Sequence, residues 1–419
     1  MAGHSRGVLN PGHMPHQRLD DILAAEVSAV RRSGAAKGGE LVIVAVEPAR
    51  DGAGPRYLLQ GSDRRFLRMN SNGYLGLSGH PAVIAAEEAA TKSFGAGPGA
   101  VRFISGTYRP HVGLERSLAA FHDRPASVIF SSAYAAVVST LVSLITPETL
   151  VFSDELNHNG IINALRLARP AAREVYPHLD YAALDGLLAG ADETKRAIVI
   201  TDGVFSMRGD FADLSRLMEI ARARDDRFEE NVVVVVDDSH GVGAFGERGR
   251  GTEEATGSDP VDVLIGTLGK AFGVNGGYVT GSASLVDFLR EKAPMYIYSN
   301  PITVGEAAAA IAALSVVDSD EGRARLRHLD DMTRRFESGL VDLGYETIAG
   351  PHPVVPLMVR ATERTSALVD HLFDNGVLAT GLNYPVVPKG DEEIRFQVNA
   401  DHTPEDIDFV LEVLAGFDY

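Results

Sequence analysis

A run of five valines at residues 232–236, which ends on the polar residues 237–240, constrains the fold more than any other segment. A continuous β-branched run of this length predicts a strand, and the polar residues at its end mark where the strand gives way to a loop. A shorter apolar run at residues 263–265 leads in the same way into a glycine-rich turn at residues 266–273, which contains Lys270. Polar groups that follow parallel strands meet in the crevice at the carboxyl ends of those strands, so we expect both segments to line one site.

The two strand ends supply four side chains with distinct chemistry, namely Asp237, His240, Thr267 and Lys270. This set matches the needs of pyridoxal phosphate, whose aldehyde requires an amine, whose pyridine nitrogen requires a carboxylate, and whose phosphate requires hydroxyl and backbone N–H groups. A carboxylate beside the ring nitrogen keeps that nitrogen protonated, so that the ring accepts electrons. Taken singly, Lys270 is typical of a solvated loop lysine and Asp237 of a helix cap, but their spacing favours a shared site in which Lys270 holds the cofactor as a Schiff base.

Three other kinds of site are disfavoured by their context. The turn that contains Lys270 has too few residues between its glycines for a phosphate-binding loop, and Ala271 stands where the Mg²⁺-binding Ser or Thr belongs. The glycines of residues 95–99 follow a helical pattern at residues 86–92, whereas a dinucleotide fingerprint follows a strand. The sequence has no cysteine and no further histidine cluster beside the predicted cofactor site, so we predict no metal site.

Several segments, in their order along the chain, resemble the α-oxoamine synthases, which are pyridoxal phosphate enzymes of the aspartate aminotransferase fold type. The resemblance covers roughly residues 66–410 and implies an α/β fold of fold type I, with a large domain built on a mostly parallel seven-stranded sheet and a smaller α+β C-terminal domain. The matching segments are residues 70–77, residues 101–107 with His111 and Glu115, residues 153–158, residues 201–207, and residues 385–388 with Arg395, His402 and Thr403.

The predicted organisation has three parts: an N-terminal arm, helix and hairpin in residues 1–65, a large cofactor-binding domain in residues 66–300, and a small C-terminal domain in residues 301–419. Helical patterns alternate with short apolar strands between about residues 80 and 290, as in a parallel sheet covered by helices. Outside that region, the apolar patterns predict a helix at residues 20–32, a hairpin from residues 41–46 and 56–59, and strands at residues 354–359 and 394–398.

The resemblance implies a role for each residue around the cofactor ring. Lys270 carries the cofactor and later acts as general base, Asp237 pairs with the pyridine nitrogen, and His240 bonds the phenolic oxygen. His158 stacks on the ring and donates a hydrogen bond to the acyl oxygen. Arg395 binds the amino acid carboxylate, because its planar guanidinium contacts two oxygens at once and so fixes which Cα bond is aligned for cleavage. Asn72 lies on the acyl side of the site and Ser206 near the ring.

The cofactor phosphate is assigned to two groups of residues. Ser132, Ala133 and Tyr134 follow an apolar strand and open a helical pattern, so the backbone N–H groups at that helix start are placed to hold a phosphate, with the hydroxyl of Thr267 beside them. Ser299 and Asn300 resemble the segment that a partner subunit contributes in this family. The resemblance therefore implies a homodimer with shared active sites.

The reaction that the resemblance implies is a decarboxylative, Claisen-type condensation of a small amino acid (glycine, alanine or serine) with an acyl-CoA. The block at residues 101–107 most resembles glycine C-acetyltransferase, and a reaction like that of 8-amino-7-oxononanoate synthase, with a longer acyl donor, is the alternative. Transamination or aldol cleavage on the same fold, and a catalytically silent binding protein, are two further alternatives. Three residues depart from the family pattern beside the site, Val137, Arg208 and Glu393, and leave the substrate open.

The composition bounds the function further. A formal net charge of −18 disfavours a nucleic-acid partner, and the 45% hydrophobic content of 419 residues suffices for one large and one smaller core. The N-terminus does not resemble a signal peptide, and no apolar stretch reaches the roughly 18 residues of a membrane span, so we expect a cytoplasmic protein without membrane association.

Overall fold

The computed structural model describes residues 16–32, 39–191, 195–384 and 386–417. The predicted arm before residue 16, and Pro385 of the C-terminal signature, lie outside the described residues.

The described residues form fourteen α-helices and fifteen β-strands. The strands are β1 Ile43–Glu47, β2 Arg56–Leu59, β3 Arg65–Arg68, β4 Ala126–Phe130, β5 Thr149–Asp154, β6 Ala172–Tyr176, β7 Arg196–Asp202, β8 Val232–Asp237, β9 Val263–Thr267, β10 Gly277–Gly281, β11 Glu346–Thr347, β12 Val354–Met358, β13 Val377–Leu378, β14 Thr380–Leu382 and β15 Glu393–Gln397. The helices are α1 Gln17–Arg32, α2 Pro81–Phe94, α3 Arg109–Phe121, α4 Ala133–Leu144, α5 Asn159–Ala168, α6 Tyr181–Gly190, α7 Leu214–Arg224, α8 Thr252–Thr256, α9 Ala283–Lys292, α10 Pro294–Ile297, α11 Val304–Val317, α12 Asp320–Asp342, α13 Thr362–Asp374 and α14 Pro404–Ala415.

The largest sheet has seven strands in the order β4-β10-β9-β8-β7-β5-β6. All of its pairings are parallel except those of β10, which runs antiparallel to β4 and β9. The valine run in β8 lies near its centre, and alternate valines pack into different layers. Val235 joins the apolar cluster that contains residues of α4, α5 and α9, whereas Val234 and Val236 join the cluster on the opposite face with α6 and α7. Burial on both faces therefore explains why this strand has no polar alternation, and the predicted seven-stranded sheet is confirmed.

The described residues form two further sheets, each of four strands. β11-β12-β15-β14 is antiparallel, and it contains the strands that the sequence predicted at residues 354–359 and 394–398. The other sheet, β1-β2-β3-β13, contains the predicted hairpin as the antiparallel pair β1 and β2. The predicted N-terminal helix is present as α1, and none of its residues is buried.

The proposed domain boundary at residues 300 and 301 stays a prediction. Helix α11 begins the segment that was assigned to the small domain, yet it packs against α2 and α3 from the segment assigned to the large one. Among the helices described, none is both long and apolar enough to span a bilayer.

Candidate active site

Four neighbouring strands of the large sheet end on polar residues at the same edge. β5 ends at Asp154, β7 at Asp202, β8 at Asp237 and β9 at Thr267. The register aligns Asp202 with Asp237, and Asp237 with Ile265 of the next strand. Because these strands are parallel, their carboxyl ends place the side chains around one crevice, as the sequence predicted for Asp237 and Thr267.

Lys270 lies in the turn after β9, and this turn is held by its own backbone. The carbonyl of Lys270 accepts the N–H of Gly273 at 2.9 Å, and the hydroxyl of Thr267 accepts the N–H of Gly269 at 3.2 Å. Burial lowers the pKa of the Lys270 amine to about 8, although the negative charges of Asp237 and Asp202 act in the opposite direction. Near pH 8, Lys270 therefore exists partly as the free amine that can act as a nucleophile or a base.

Two carboxylates face Lys270, and they differ in how they are bonded. Asp237 accepts the N–H of Ser239 on Oδ1 at 3.1 Å, while its Oδ2 has no hydrogen-bond partner among the described residues. Asp202 accepts the backbone N–H of His158 on Oδ2 at 2.8 Å. Burial, and then the charge of Asp237, raise the pKa of Asp202 well above its usual value. Asp237 thus keeps one oxygen free for a cationic ring nitrogen.

His158 is the N-cap of α5, and its ring belongs to this site. Its Nδ1 accepts the N–H of Gly160 at 3.1 Å, so the neutral ring carries its hydrogen on Nε2. Partial removal from water lowers the pKa of His158, the charge of Lys270 acts in the same direction, and that of Asp237 opposes it. The side chain is exposed, which leaves a ring face available for stacking and an Nε2–H available for donation.

His240 is fixed by two partners that the sequence reasoning did not assign. The hydroxyl of Tyr74 lies 2.7 Å from His240 Nδ1, and it also lies 3.4 Å from Asn72 Oδ1. His352 accepts the N–H of Val354 on Nδ1 at 3.2 Å, so its Nε2 donates to the His240 carbonyl at 3.0 Å. Burial, with the nearby charge of Lys270, lowers the pKa of His240 well below its usual value, so the imidazole is neutral.

The start of α4 forms a cradle for an anion. Ser132 is the N-cap and its hydroxyl accepts the N–H of Ala135 at 3.1 Å, whereas the N–H groups of Ala133 and Tyr134 at the helix start have no intrahelical carbonyl to bond. Gly277 of β10 passes so close that a Cβ atom on it would lie 2.3 Å from the Ala133 nitrogen. A side chain there would close the cradle, and the free N–H groups suit a phosphate.

Arg395 lies on β15 and reaches across to the loop that follows β7. Its Nη1 donates to the carbonyl of Ser206 at 3.1 Å and lies 3.9 Å from the sulfur of Met207. Its Nε is buried and has no hydrogen-bond partner within the described chain. Glu393 lies two residues earlier on the same face of the strand, and burial raises its pKa to about 7. Arg395 therefore has unused donor capacity for a substrate carboxylate.

Ser299 and Asn300 are predicted site residues that make no hydrogen bond to the other site residues among the described residues. The hydroxyl of Ser299 contacts only the Asn300 carbonyl, at 3.4 Å, among the hydrogen bonds of the described residues. Tyr298, immediately before them, is 82% exposed. The predicted contribution of this segment to the phosphate therefore stays a prediction.

Sequence reasoning missed Tyr74, Asp202 and His352 as functional residues. Asp202 gave a usable signal, because it ends β7 as Asp237 ends β8. Tyr74 stood inside a segment already recognised as similar to the family, but its partner His240 is 166 residues away. His352 gave no signal, because its hydrogen bond to the His240 carbonyl exists only in the folded chain.

The residues of the site together fit pyridoxal 5'-phosphate. A buried amine of lowered pKa faces a carboxylate with a free oxygen, and an exposed imidazole adjoins them. The open helix start of α4 follows β4, whose carboxyl end lies at the same edge of the sheet because β4 runs parallel to β9. These groups correspond to the aldehyde, the pyridine nitrogen, the ring face and the phosphate of the cofactor.

Comparisons with known proteins agree with this fit. Residues 64–414 match the family model "Aminotransferase class I and II". The 2-amino-3-ketobutyrate coenzyme A ligase, mitochondrial, of Mus musculus is 38% identical over 414 residues, which cover 97% of this chain and 95% of the relative. The 8-amino-7-oxononanoate synthase of Thermosipho melanesiensis is 38% identical over 351 residues, which cover 83% of this chain and 87% of the relative.

Solved structures show the same fold. The serine palmitoyltransferase of Sphingomonas wittichii superposes with a TM-score of 0.86 at 25% identity, covering 96% of this chain and 98% of that chain. The chain therefore belongs to the aminotransferase class I and II family and, within it, to the α-oxoamine synthases, which are acyltransferases that use pyridoxal 5'-phosphate as their cofactor.

Proposed function

We propose that the protein condenses a small amino acid with an acyl-CoA thioester and releases CoA and CO2, with an α-aminoketone as product. The observation that carries the proposal is the placement of Lys270, an amine with a pKa of about 8, between the carboxylates at the strand ends and the neutral His158. An amine that is partly neutral near physiological pH can take a Cα proton, and a neutral imidazole can donate to an oxygen that becomes negative.

The chain's own residues divide the work of this reaction. When bound, the cofactor supplies a protonated ring that accepts the electron pair of a bond at the amino acid Cα. Asp237, whose Oδ2 has no hydrogen-bond partner among the described residues, would keep the ring nitrogen protonated. Lys270 Nζ takes the Cα proton, and His158 Nε2–H donates to the acyl oxygen as negative charge develops there. The Cα carbon bonds to the thioester carbonyl carbon as the C–S bond breaks and CoA leaves as its thiol, and the resulting β-keto acid loses its carboxylate as CO2.

Arg395 orients the amino acid for this chemistry. Its Nη1 is already fixed on the Ser206 carbonyl, so the remaining guanidinium donors face the substrate in a set geometry. A carboxylate held by two parallel hydrogen bonds has one defined plane, and the Cα–H bond is then presented towards Lys270. We propose that Asn72, which lies beside Tyr74 at the same site, contacts the acyl donor.

Glycine with a short acyl-CoA is the preferred substrate pair. The block at residues 101–107 supports this choice, and so does the similarity to 2-amino-3-ketobutyrate coenzyme A ligase along 97% of the chain. Alanine with a longer acyl donor is the second candidate, because the 8-amino-7-oxononanoate synthase of T. melanesiensis is equally identical, although over a shorter segment.

The test is a matrix of amino acids against acyl-CoAs of increasing length, with the cofactor-loaded protein. CoA thiol release that requires the amino acid, with an aminoketone of the matching mass, supports the proposal and identifies the substrates. Transfer of the amino group to a keto acid without CoA release supports an aminotransferase instead. Absence of amino-acid-dependent thiol release across the whole matrix contradicts the proposed function.

We also propose a cytoplasmic homodimer in which Ser299 and Asn300 reach the partner's cofactor phosphate. Exposed apolar side chains support the dimer, because they would be buried at a subunit interface. Tyr298, next to Ser299, is 82% exposed, and Phe103 and Ile104 of the 101–107 block are 63% and 65% exposed. Sedimentation should give twice the chain mass, and Ser299→Ala with Asn300→Ala should weaken cofactor binding in the dimer. A monomer with full cofactor affinity contradicts shared sites.

A further inference from the structure

His178 follows β6 and lies outside the groups assigned to the reaction, yet both of its ring nitrogens meet carboxylates. Its Nδ1 lies 3.0 Å from Asp154 Oδ1, and its Nε2 lies 3.1 Å from Asp210 Oδ2. A ring with an acceptor at each nitrogen is best satisfied when both nitrogens carry hydrogens, which is the cationic form. Burial opposes that charge, but the hydrogen bonds and charges of the two carboxylates outweigh burial and raise the pKa of His178 to about 9.

The two carboxylates belong to different parts of the site. Asp154 ends β5 of the large sheet, and its oxygens also accept the N–H groups of Leu156 and Leu179, each at 2.9 Å. Asp210 belongs to the loop of residues 203–212, in which Val204 and Phe211 form a β-bridge. His178 therefore ties this loop to the carboxyl edge of the large sheet.

The same loop also contacts Arg395, the residue proposed to bind the substrate carboxylate. The Ser206 carbonyl accepts Arg395 Nη1 at 3.1 Å. Gly209 lies against β12, where a Cβ atom would be 2.4 Å from the carbonyl oxygen of Val354. The 203–212 loop thus bridges the large sheet and the C-terminal sheet that carries Arg395.

Local structure around His178 is built to hold this position. Leu179 has φ 56°, a left-handed conformation that a branched residue rarely adopts, and its N–H is thereby directed to Asp154. The ring of Phe205 packs edge-on against the imidazole, with centroids 4.4 Å apart. Arg208 donates from Nε to the same Asp210 oxygen at 2.8 Å, so two cations balance two carboxylates. Arg208, one of the three departures from the family pattern, is thus paired with Asp210.

We propose that His178 is a positioning residue for the amino acid substrate. Its protonated ring links Asp154 to Asp210, which holds the 203–212 loop, and the loop holds the Ser206 carbonyl that fixes Arg395. This inference rests on the proposed function only in that Arg395 binds the carboxylate of an amino acid.

The proposal implies a pH dependence of substrate affinity. His178 is protonated below a pH of about 9, so the link is present at neutral pH and is lost as the pH rises through that value. Above it, the loop is held less firmly and affinity for the amino acid falls. The ring itself contacts Asp154 at the end of β5 and Asp210 on the loop. The other charged and titratable groups nearby are Glu155, which accepts the backbone N–H of His178, Arg208, which donates to Asp210, and Tyr181 on α6, which lies near Asp154.

The experiment uses the cofactor-loaded protein and glycine or alanine without any acyl-CoA, and follows the change in cofactor absorbance to obtain Kd. His178→Gln should weaken amino acid binding about tenfold at pH 7.5, the loss expected for a charge-assisted hydrogen bond. Between pH 8.5 and 9.5, the wild type should lose affinity for the amino acid more steeply than the variant. Lys270 and the amino acid titrate in both proteins, so their contribution cancels when the two pH profiles are compared. The KM for acyl-CoA should not change.

Matched variants separate positioning from stability. His371→Gln is the control, because His371 bonds the Val413 carbonyl on the C-terminal helix layer at 2.8 Å, with no contact to the loop. Asp210→Asn breaks the same link from the loop side and should also weaken binding, which keeps the test open if His178→Gln does not fold. Unchanged Kd in both folded variants, even with a lower Tm, overturns the proposal. Failure of the proposed function is distinguishable, because amino acid binding would then persist without CoA release.

Discussion

The carboxyl edge of the large sheet and strand β15 form opposite sides of the site, and they differ in how far the protein satisfies its own polar groups. At the sheet edge, the backbone N–H of His158 donates to the Asp202 carboxylate. His240 is held by hydrogen bonds with Tyr74 and His352. On β15, by contrast, buried atoms without a hydrogen-bond partner among the described residues are Glu393 Oε1, Arg395 Nε, and Gln397 Oε1 and Nε2.

The difference indicates two kinds of preorganisation. On the cofactor side, the fold itself supplies the hydrogen bonds that hold Asp202, the His158 backbone and His240, so these groups are placed before anything binds. Asp237 Oδ2 and the N–H groups at the start of α4 remain open for the cofactor. The substrate side retains unused hydrogen-bonding capacity beside Arg395, which a bound carboxylate would take up. Changes at the sheet edge should therefore affect chemistry, whereas changes at Arg395 should affect amino acid affinity.

Lys270→Ala should have the largest effect on the cofactor side. Removal of the amine abolishes both attachment of the cofactor and proton transfer, so turnover should fall by about a thousandfold or more. The protein should still retain loosely bound cofactor, because Asp237 and the start of α4 remain. CoA release is the measurement, and Lys292→Ala, an exposed lysine on α9, should keep full activity. An active Lys270→Ala enzyme would overturn the assignment.

Arg395→Lys tests the substrate side. Lysine keeps the charge but loses the planar pair of donors, so KM for the amino acid should rise about a hundredfold while cofactor affinity stays constant. Steady-state kinetics and a cofactor titration give the two values. Arg323→Lys on the exposed face of α12 is the control. Loss of cofactor binding without a change in KM would contradict the division between the two sides.

Tyr74→Phe removes the hydroxyl from His240 Nδ1 and leaves that buried nitrogen without its partner. Because a lost buried hydrogen bond costs about 1–3 kcal/mol, we expect kcat to fall about tenfold with little change in KM for the amino acid. A shifted cofactor absorbance should accompany the loss. The opposite pattern, with higher KM and unchanged kcat, would place Tyr74 with the substrate side.

Glu393→Gln should have the smallest effect, and it concerns stability. Burial raises the pKa of Glu393 to about 7, so its proton is bound more tightly in the folded state. The stability that this proton contributes is present below the unfolded pKa of about 4.5 and is lost as the pH rises to about 7. The variant should be more stable than the wild type at pH 8, by on the order of 1 kcal/mol, and less dependent on pH in thermal melts. Equal pH dependence of both proteins would show that the carboxylate is already paired.

The sequence predicted the sheet edge because that information is local. A valine run predicts a strand, and the polar residues that follow it mark the strand end, so the sequence located Asp237 and Thr267 at the ends of β8 and β9. The contacts of Tyr74 and His352 with His240 are formed between segments more than 100 residues apart, and no local pattern specifies them. The roles of Ser299 and Asn300 stay predictions, because neither side chain bonds another site residue within the described chain.

The most direct test of the account is the position at which the cofactor is attached. The cofactor-loaded protein is reduced with borohydride and digested, and the peptide that carries the pyridoxyl group is identified by mass spectrometry. The account predicts the modification on Lys270 alone, in the turn after β9. Modification of another lysine, such as Lys92 or Lys292, with Lys270 unmodified would contradict it.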